Sequence, residues 1–109
     1  MQSKNVKLVV FVPENHTEKV RQAMGEAGAG VIGNYNFCSF SSKGIGRFLP
    51  VEGANPAIGE VGKLEEVIEE RIEVVVSREI LSKVIEAMKK VHPYEEVAFD
   101  IHALEDISK

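Results

Sequence analysis

An α+β sandwich, two strand–helix–strand units sharing one antiparallel sheet, is the fold this 109-residue sequence predicts. Three observations lead there. A β-branched apolar run occupies residues 6–12. Two later stretches carry apolar residues at helical spacing. Each of those is followed by residues that turn or stop a helix before the next strand-like run.

Residues 6–12 (Val-Lys-Leu-Val-Val-Phe-Val) are nearly continuous in apolarity and end at Pro13, as in a central strand covered on both faces. Residues 14–27 read as a helix, with Val20, Ala23, Met24 and Ala27 on one stripe. Gly28 and Gly30 end it, since glycine accepts left-handed backbone angles. Residues 34–42 then read as a strand with Tyr35, Phe37 and Ser39 on one face. Lys43-Gly44 offers a turn, and residues 45–49 return as the second arm of a hairpin. Residues 50–62, with Gly53, Pro56, Gly59 and Gly62, form a long loop of the kind that carries function or subunit contacts.

Residues 67–76 alternate, with Ile68, Ile72, Val74 and Val76 on one side and Glu69, Arg71 and Glu73 on the other. Ser77 is placed to cap a second helix. Its apolar stripe is Ile80, Leu81, Val84, Ile85, Met88 and Val91, and Pro93 forbids its continuation. Residues 97–104 form the last strand. The expected architecture is therefore a ferredoxin-like sandwich, one domain over 1–109, in βαβ-βαβ order with an antiparallel sheet and an inserted hairpin and long loop. Such a sandwich leaves one sheet face without helices. The first strand still has Val9 and Phe11 on that side, opposite Leu8, Val10 and Val12, so a second subunit is expected to cover it.

Composition narrows the function. Hydrophobic residues make up 44% of the chain, enough for a two-layer core. So short a chain does not enclose a large catalytic cavity without a partner subunit. Seventeen acids against thirteen bases give a net charge of −4, intermixed and without a basic stripe, which argues against nucleic-acid binding. Cys38 is the lone cysteine, so no internal disulfide forms. No apolar stretch approaches the roughly 18 residues of a membrane span. A cytoplasmic protein with no membrane partner is expected.

Chemistry concentrates in His92-Pro93-Tyr94-Glu95-Glu96. A purely structural role is open to it: Pro93 stops the helix and holds His92 extended, and Tyr94 covers the core edge. A ligand role is open too, with His92 and a glutamate facing a cleft, often between subunits, where a small molecule or metal ion binds. Cys38 is either a small buried residue or half of a soft S/N pair with His92 for Cu(I) or zinc. Such a pair needs Glu95, Glu96 or symmetry copies to complete it. Gly28, Gly30 and Gly33 are no phosphate cradle, because they follow a helix rather than lead into one. A tight turn with close backbone approach suits them better. His16 and His102 read as surface or edge residues. Asp100 shares a strand face with His102, but no nucleophile is placed with them.

Three segments carry a family resemblance: residues 28–40 (Gly-Ala-Gly-Val-Ile-Gly-Asn-Tyr-Asn-Phe-Cys-Ser-Phe), Gly53-Ala54-Asn55-Pro56 with Gly59, and His92-Pro93-Tyr94-Glu95-Glu96. In that order they resemble the domain inserted in Nif-three-like proteins (YqfO, type 2 GTP cyclohydrolase I). The His92–Glu95 piece also resembles the CutA family, trimeric ferredoxin-like proteins related in architecture to PII signalling proteins. The Nif-three-like metal site lies in a separate α/β portion, and His16, His92 and His102 do not reproduce its pattern. The resemblance thus implies a stand-alone version of the inserted domain: a homotrimeric ligand- or metal-binding regulatory module without catalysis of its own, open to a small molecule or a protein partner. Its ligand-binding candidates are Asn34, Tyr35, Cys38, His92, Tyr94, Glu95 and Glu96. Its metal candidates are His92, Cys38 and Glu96, with a divalent metal or copper as the cofactor class. A metal-dependent hydrolase of GTP or a related phosphoester is one alternative, and a CutA-like copper-tolerance protein is another.

Overall fold

A computed structural model describes residues 1–108. Four strands and two helices follow in the order β1 (Gln2–Pro13), α1 (Thr17–Glu26), β2 (Phe40–Phe48), β3 (Glu65–Ser77), α2 (Leu81–Val91) and β4 (Phe99–Glu105). A short 3₁₀ turn precedes each helix. The sheet order is β2-β3-β1-β4, every neighbouring pair antiparallel, which is the ferredoxin-like arrangement.

One apolar layer holds the helices to the sheet. Val6, Leu8, Val10 and Val12 of β1 alternate inward and meet Ile72, Val74 and Val76 of β3. Val20 and Met24 of α1 and Val84 and Met88 of α2 close the layer from above. Each fully buried side chain of this size contributes about 1.5–3 kcal/mol. Ser77 accepts the Glu79 N–H at 3.3 Å, capping the turn that leads into α2.

The open sheet face departs from expectation. Val9 is fully buried although it lies outside the helix-facing core. Charged neighbours screen this strip: Lys7 Nζ lies 3.5 Å from Glu73, and Arg71 Nε donates to Glu73 at 3.1 Å. The Arg71 guanidinium also lies over the Phe11 ring, 5.7 Å from its centroid. Within one chain, long polar side chains thus lie over part of the strip that the apolar pattern assigns to a second subunit, while Phe11 stays partly exposed.

The hairpin expected at Lys43-Gly44 is also corrected. Both residues lie inside β2, paired with Glu70 and Glu69 of β3. Glycine in mid-strand here answers to a neighbour: a Cβ on Gly46 would strike the Glu69 carboxylate. The true hairpin is β2–β3, joined by residues 49–64. Residues 34–39 are irregular, with Ile32 and Tyr35 exchanging backbone hydrogen bonds at 2.9 Å around a tight turn. β4 begins at Phe99 rather than 97, although Phe11 N–H still reaches the Ala98 carbonyl at 3.1 Å.

β1 pairs with β3 only as far as Pro13↔Glu69, while β2–β3 pairing continues to Phe48↔Glu65. The hairpin thus projects past the helices by four residues of β3, about 13 Å. The projection accounts for extents of 53 × 26 × 23 Å and a radius of gyration of 15.2 Å, against about 13 Å for a rounded domain of this length.

The glycines after α1 act as the sequence indicates. Gly30 has φ +81°, donates to the Val75 carbonyl at 2.7 Å and accepts from Cys38 N–H at 2.9 Å. A Cβ there would collide with the Cys38 backbone. Gly30→Ala therefore carries both φ strain and a clash with main chain, and urea denaturation should show a loss of about 2–4 kcal/mol.

Candidate functional site

The site grows from the end of α2. His92 N–H donates to the Met88 carbonyl at 3.1 Å, closing the helix, and ψ 135° at His92 is the extended value that a following proline imposes. That geometry turns the ring inward, where only 7% of the residue stays exposed. His92 Nε2 donates to the Phe11 carbonyl at 2.8 Å, and Nδ1 accepts the Tyr94 N–H at 3.1 Å. A carbonyl can only accept and an amide N–H can only donate, so the partners select the neutral, Nε2-protonated imidazole. Burial lowers the His92 pKa below the ordinary histidine value; the Phe11 carbonyl and the Glu69 charge oppose that in part, and His16 adds slightly to it.

Tyr94 carries the constraint outward. Its hydroxyl donates to Glu69 Oε2 at 3.0 Å, and its ring meets Phe48 edge-on with centroids 5.8 Å apart. Burial first, then the bond to Glu69, holds the phenol well above the usual tyrosine range. Gly46, lacking a side chain, leaves room for the Glu69 carboxylate to lie across β2. One residue further on, Glu95 Oε2 accepts the Asn55 N–H at 2.7 Å and ties the long β2–β3 loop to the α2–β4 connection.

These ties enclose a cleft of about 410 Å³ on the open sheet face at the projecting end. Phe11 and Phe48 contribute from the sheet, Leu49 to Val51, Ala54 and Pro56 to Ile58 from the loop, and Tyr94, Glu95, Glu96 and Ala98 from the connection. The walls are mainly apolar. Glu69, Glu95 and Glu96 bring carboxylates, and Arg47 brings a cation whose Nε already donates to Glu66 at 2.7 Å.

Two of the three sequence segments therefore converge. Tyr94, Glu95 and Glu96 line the cleft together with Ala54 and Pro56, while His92 stands behind them as the anchor. Asn34, Tyr35 and Cys38 lie elsewhere. They belong to the segment tied through Gly30 to Val75, whereas Tyr94 is tied to Glu69, about 20 Å away along β3. Cys38 is half-buried, and its thiol points at the Tyr35 and Asn36 carbonyls at 3.7 and 3.9 Å. Among the described residues no three His, Cys, Asp or Glu side chains come together as a metal-holding group. Within one chain the set His92, Cys38 and Glu96 does not fit a metal; a second copy would have to complete it. Sequence reasoning missed Glu69, Gly46, Phe11 and Phe48. The available signal was the polar row of β3, which places Glu69 on the helix-free face.

Comparison with known proteins places this geometry among relatives. No family model matches the chain. It is 57% identical over 98 residues, 90% of its length, to a protein called GTP cyclohydrolase 1 type 2 homolog from Halalkalibacterium halodurans. A Bacillus subtilis protein of the same name is 57% identical over 99 residues. The chain spans about a quarter of the length of these relatives, 26% in each. Among solved structures, a Bacillus cereus protein related to NIF3 superposes over 97% of the chain with a TM-score of 0.83 and 49% identity, again over only 27% of that protein. The resemblance to a domain within larger Nif-three-like proteins therefore holds. The periplasmic divalent cation tolerance protein CutA from Archaeoglobus fulgidus (TM-score 0.69, 17% identity, 96% of this chain and 88% of that one) shares the fold. So does Bacillus subtilis GlnK (0.61, 17%, 94% and 86%).

Two measurements check the site's wiring. The unfolded chain binds a proton at His92 near pH 6.5, while the folded chain does so only at lower pH. This contribution to stability is therefore full above about 6.5 and is lost as pH falls below it. Urea midpoints from pH 8 to 5 should drop on the acid side, and His92→Gln should flatten that part of the curve. Glu95→Ala should free the loop at small cost to the fold, at most about 1 kcal/mol. Hydrogen exchange should then show the Asn55 amide losing its protection while β1 amides keep theirs.

Proposed function

We propose that this chain is a ligand-binding regulatory module that works as a homotrimer and carries no catalytic centre of its own. The observation that carries the reading is the cleft, which needs three separate parts of the chain to be held in register. A connection that merely joined helix to strand would need none of this wiring.

Three polar groups of the cluster are already engaged by hydrogen bonds within the chain. His92 uses both ring nitrogens on backbone, Tyr94 bonds Glu69, and Glu95 bonds Asn55. Such bonds position a surface and leave the imidazole no vacant nitrogen for proton transfer. That favours recognition over catalysis.

Assembly is supported by what each end exposes. Tyr35, Phe37 and Phe40 stand more than half exposed at one end, and Ile45, Ile68 and Val51 do so on the projecting hairpin. Two different apolar patches at opposite ends favour head-to-tail contact over a two-fold dimer, and such contact forms a ring when its rotation closes. This reading requires the trimer to bring the neighbour's Asn34, Tyr35 and Cys38 to the cleft, reuniting the candidates that one chain separates.

The relatives' name supports a rival reading, in which the segment serves a metal-dependent turnover of GTP within the larger protein. Release of product from GTP by the 109-residue chain with a divalent metal would establish it. The copper reading, drawn from the CutA likeness, predicts weaker Cu(I) binding in His92→Ala and Cys38→Ala than in the parent chain. Equal affinities remove both residues as ligands. Light scattering at micromolar concentration is expected to give three chain masses; a monomer there would end the oligomeric premise.

A further inference from the structure

We infer that the occupant of the cleft is an organic cation, a small primary or substituted amine attached to an apolar body. This rests on the reading of the cleft as a ligand site and goes on to name the ligand's chemistry. The volume of about 410 Å³ is that of a small-molecule pocket. Its apolar walls, including Phe48, Leu49, Val51 and Ile58, suit a hydrocarbon or aromatic body.

The charged lining is predominantly acidic. Glu69, Glu95 and Glu96 face the cleft, and the one cation there, Arg47, is offset by its ion pair with Glu66. Glu69 and Glu95 each spend one oxygen, on the Tyr94 hydroxyl and the Asn55 amide, and keep the other. Glu96 makes no side-chain hydrogen bond among the described residues and is exposed at the rim. An ammonium group brings up to three donors to acceptors of this kind, in charge-assisted bonds.

Aromatic faces add an attraction that a neutral or anionic ligand does not receive. The Tyr94 and Phe48 rings, packed edge to face, both line the cleft. A cation near such rings gains from their quadrupoles. Phosphate groups meet the opposite: they would be desolvated against three carboxylates, with Arg47 as the single lining cation and its Nε already on Glu66. A bare metal ion fits no better, because the carboxylates do not converge into a coordinating group. An ammonium on an apolar frame satisfies walls, carboxylates and rings together.

The test uses the full 109-residue chain and three matched probes, 2-phenylethylamine, 2-phenylethanol and 3-phenylpropionate, with GTP as a fourth. Amide chemical shifts of residues 46–58 and 94–98 are followed by NMR. The amine should bind about tenfold tighter than the alcohol, with the carboxylate and GTP weaker still. Added salt should narrow that gap. Glu96→Gln, which removes a charge without touching a bond of the fold, should reduce amine affinity severalfold and leave the alcohol unchanged. If amine and alcohol bind alike, or the carboxylate or GTP binds best, the cation assignment is overturned while the cleft stands as a ligand site. If no probe moves these amides at millimolar concentration, both the assignment and the ligand-site reading fall.

Discussion

The projecting end of this molecule, where the candidate cleft lies, is organised by the two hydrogen bonds of His92. The ring joins the last turn of α2, the end of β1 and the backbone of Tyr94 in one buried unit. Pro93 removes the alternative of a continuing helix, so the chain must leave α2 extended, and the imidazole fills the space this creates. Tyr94 is then aimed at Glu69, and Glu95 is carried to where the loop passes. Without the histidine, the tyrosine amide and the Phe11 carbonyl would be buried with no partner, an expensive state for either group.

The legible parts of the fold were those whose burial follows a simple period. β1, the core face of β3 and both helices have alternating or helical stripes that the core uses as written, from Val6 to Val12 and from Val84 to Met88. Residues 34–49 were not legible in that way. Tyr35, Phe37 and Phe40 look like strand residues, yet they stand exposed, so no core selects their phase. Lys43-Gly44 is a fair turn signal that long-range pairing with β3 overrides. Its neighbour Gly46 makes room for Glu69, a contact between residues 23 apart that no local pattern announces.

The candidate site divides along the same line. His92, Tyr94, Glu95 and Glu96 are contiguous, so any fold places them together; Ala54 and Pro56 join them because Glu95 ties their loop down. Tyr35 and Cys38 are grouped with them by the family resemblance and by side-chain chemistry, neither of which fixes distance. Within one chain the sheet keeps them apart, since a β-strand is a rigid spacer and five residues of β3 intervene between Glu69 and Val75. Val9 makes a similar point about assembly. An apolar residue on the helix-free face does not by itself demand a partner when Lys7, Arg71 and Glu73 can fold over it.

The sign of the cleft then bears on how this domain serves larger relatives. A domain covering about a quarter of a protein can contribute a binding surface while the chemistry resides in the remainder. Three carboxylates against one arginine on an apolar wall disfavour the polyanionic triphosphate of a nucleotide and favour an amine. If those relatives act on GTP, this segment is poorly suited to hold its phosphates unless another chain supplies the positive charge. The elongated hairpin, with exposed apolar residues beyond the core, is where such a chain would approach. Charge in the cleft and exposure at the hairpin thus fit the proposed division of labour, in which the domain of these relatives binds or docks and anion chemistry resides in the rest of their length.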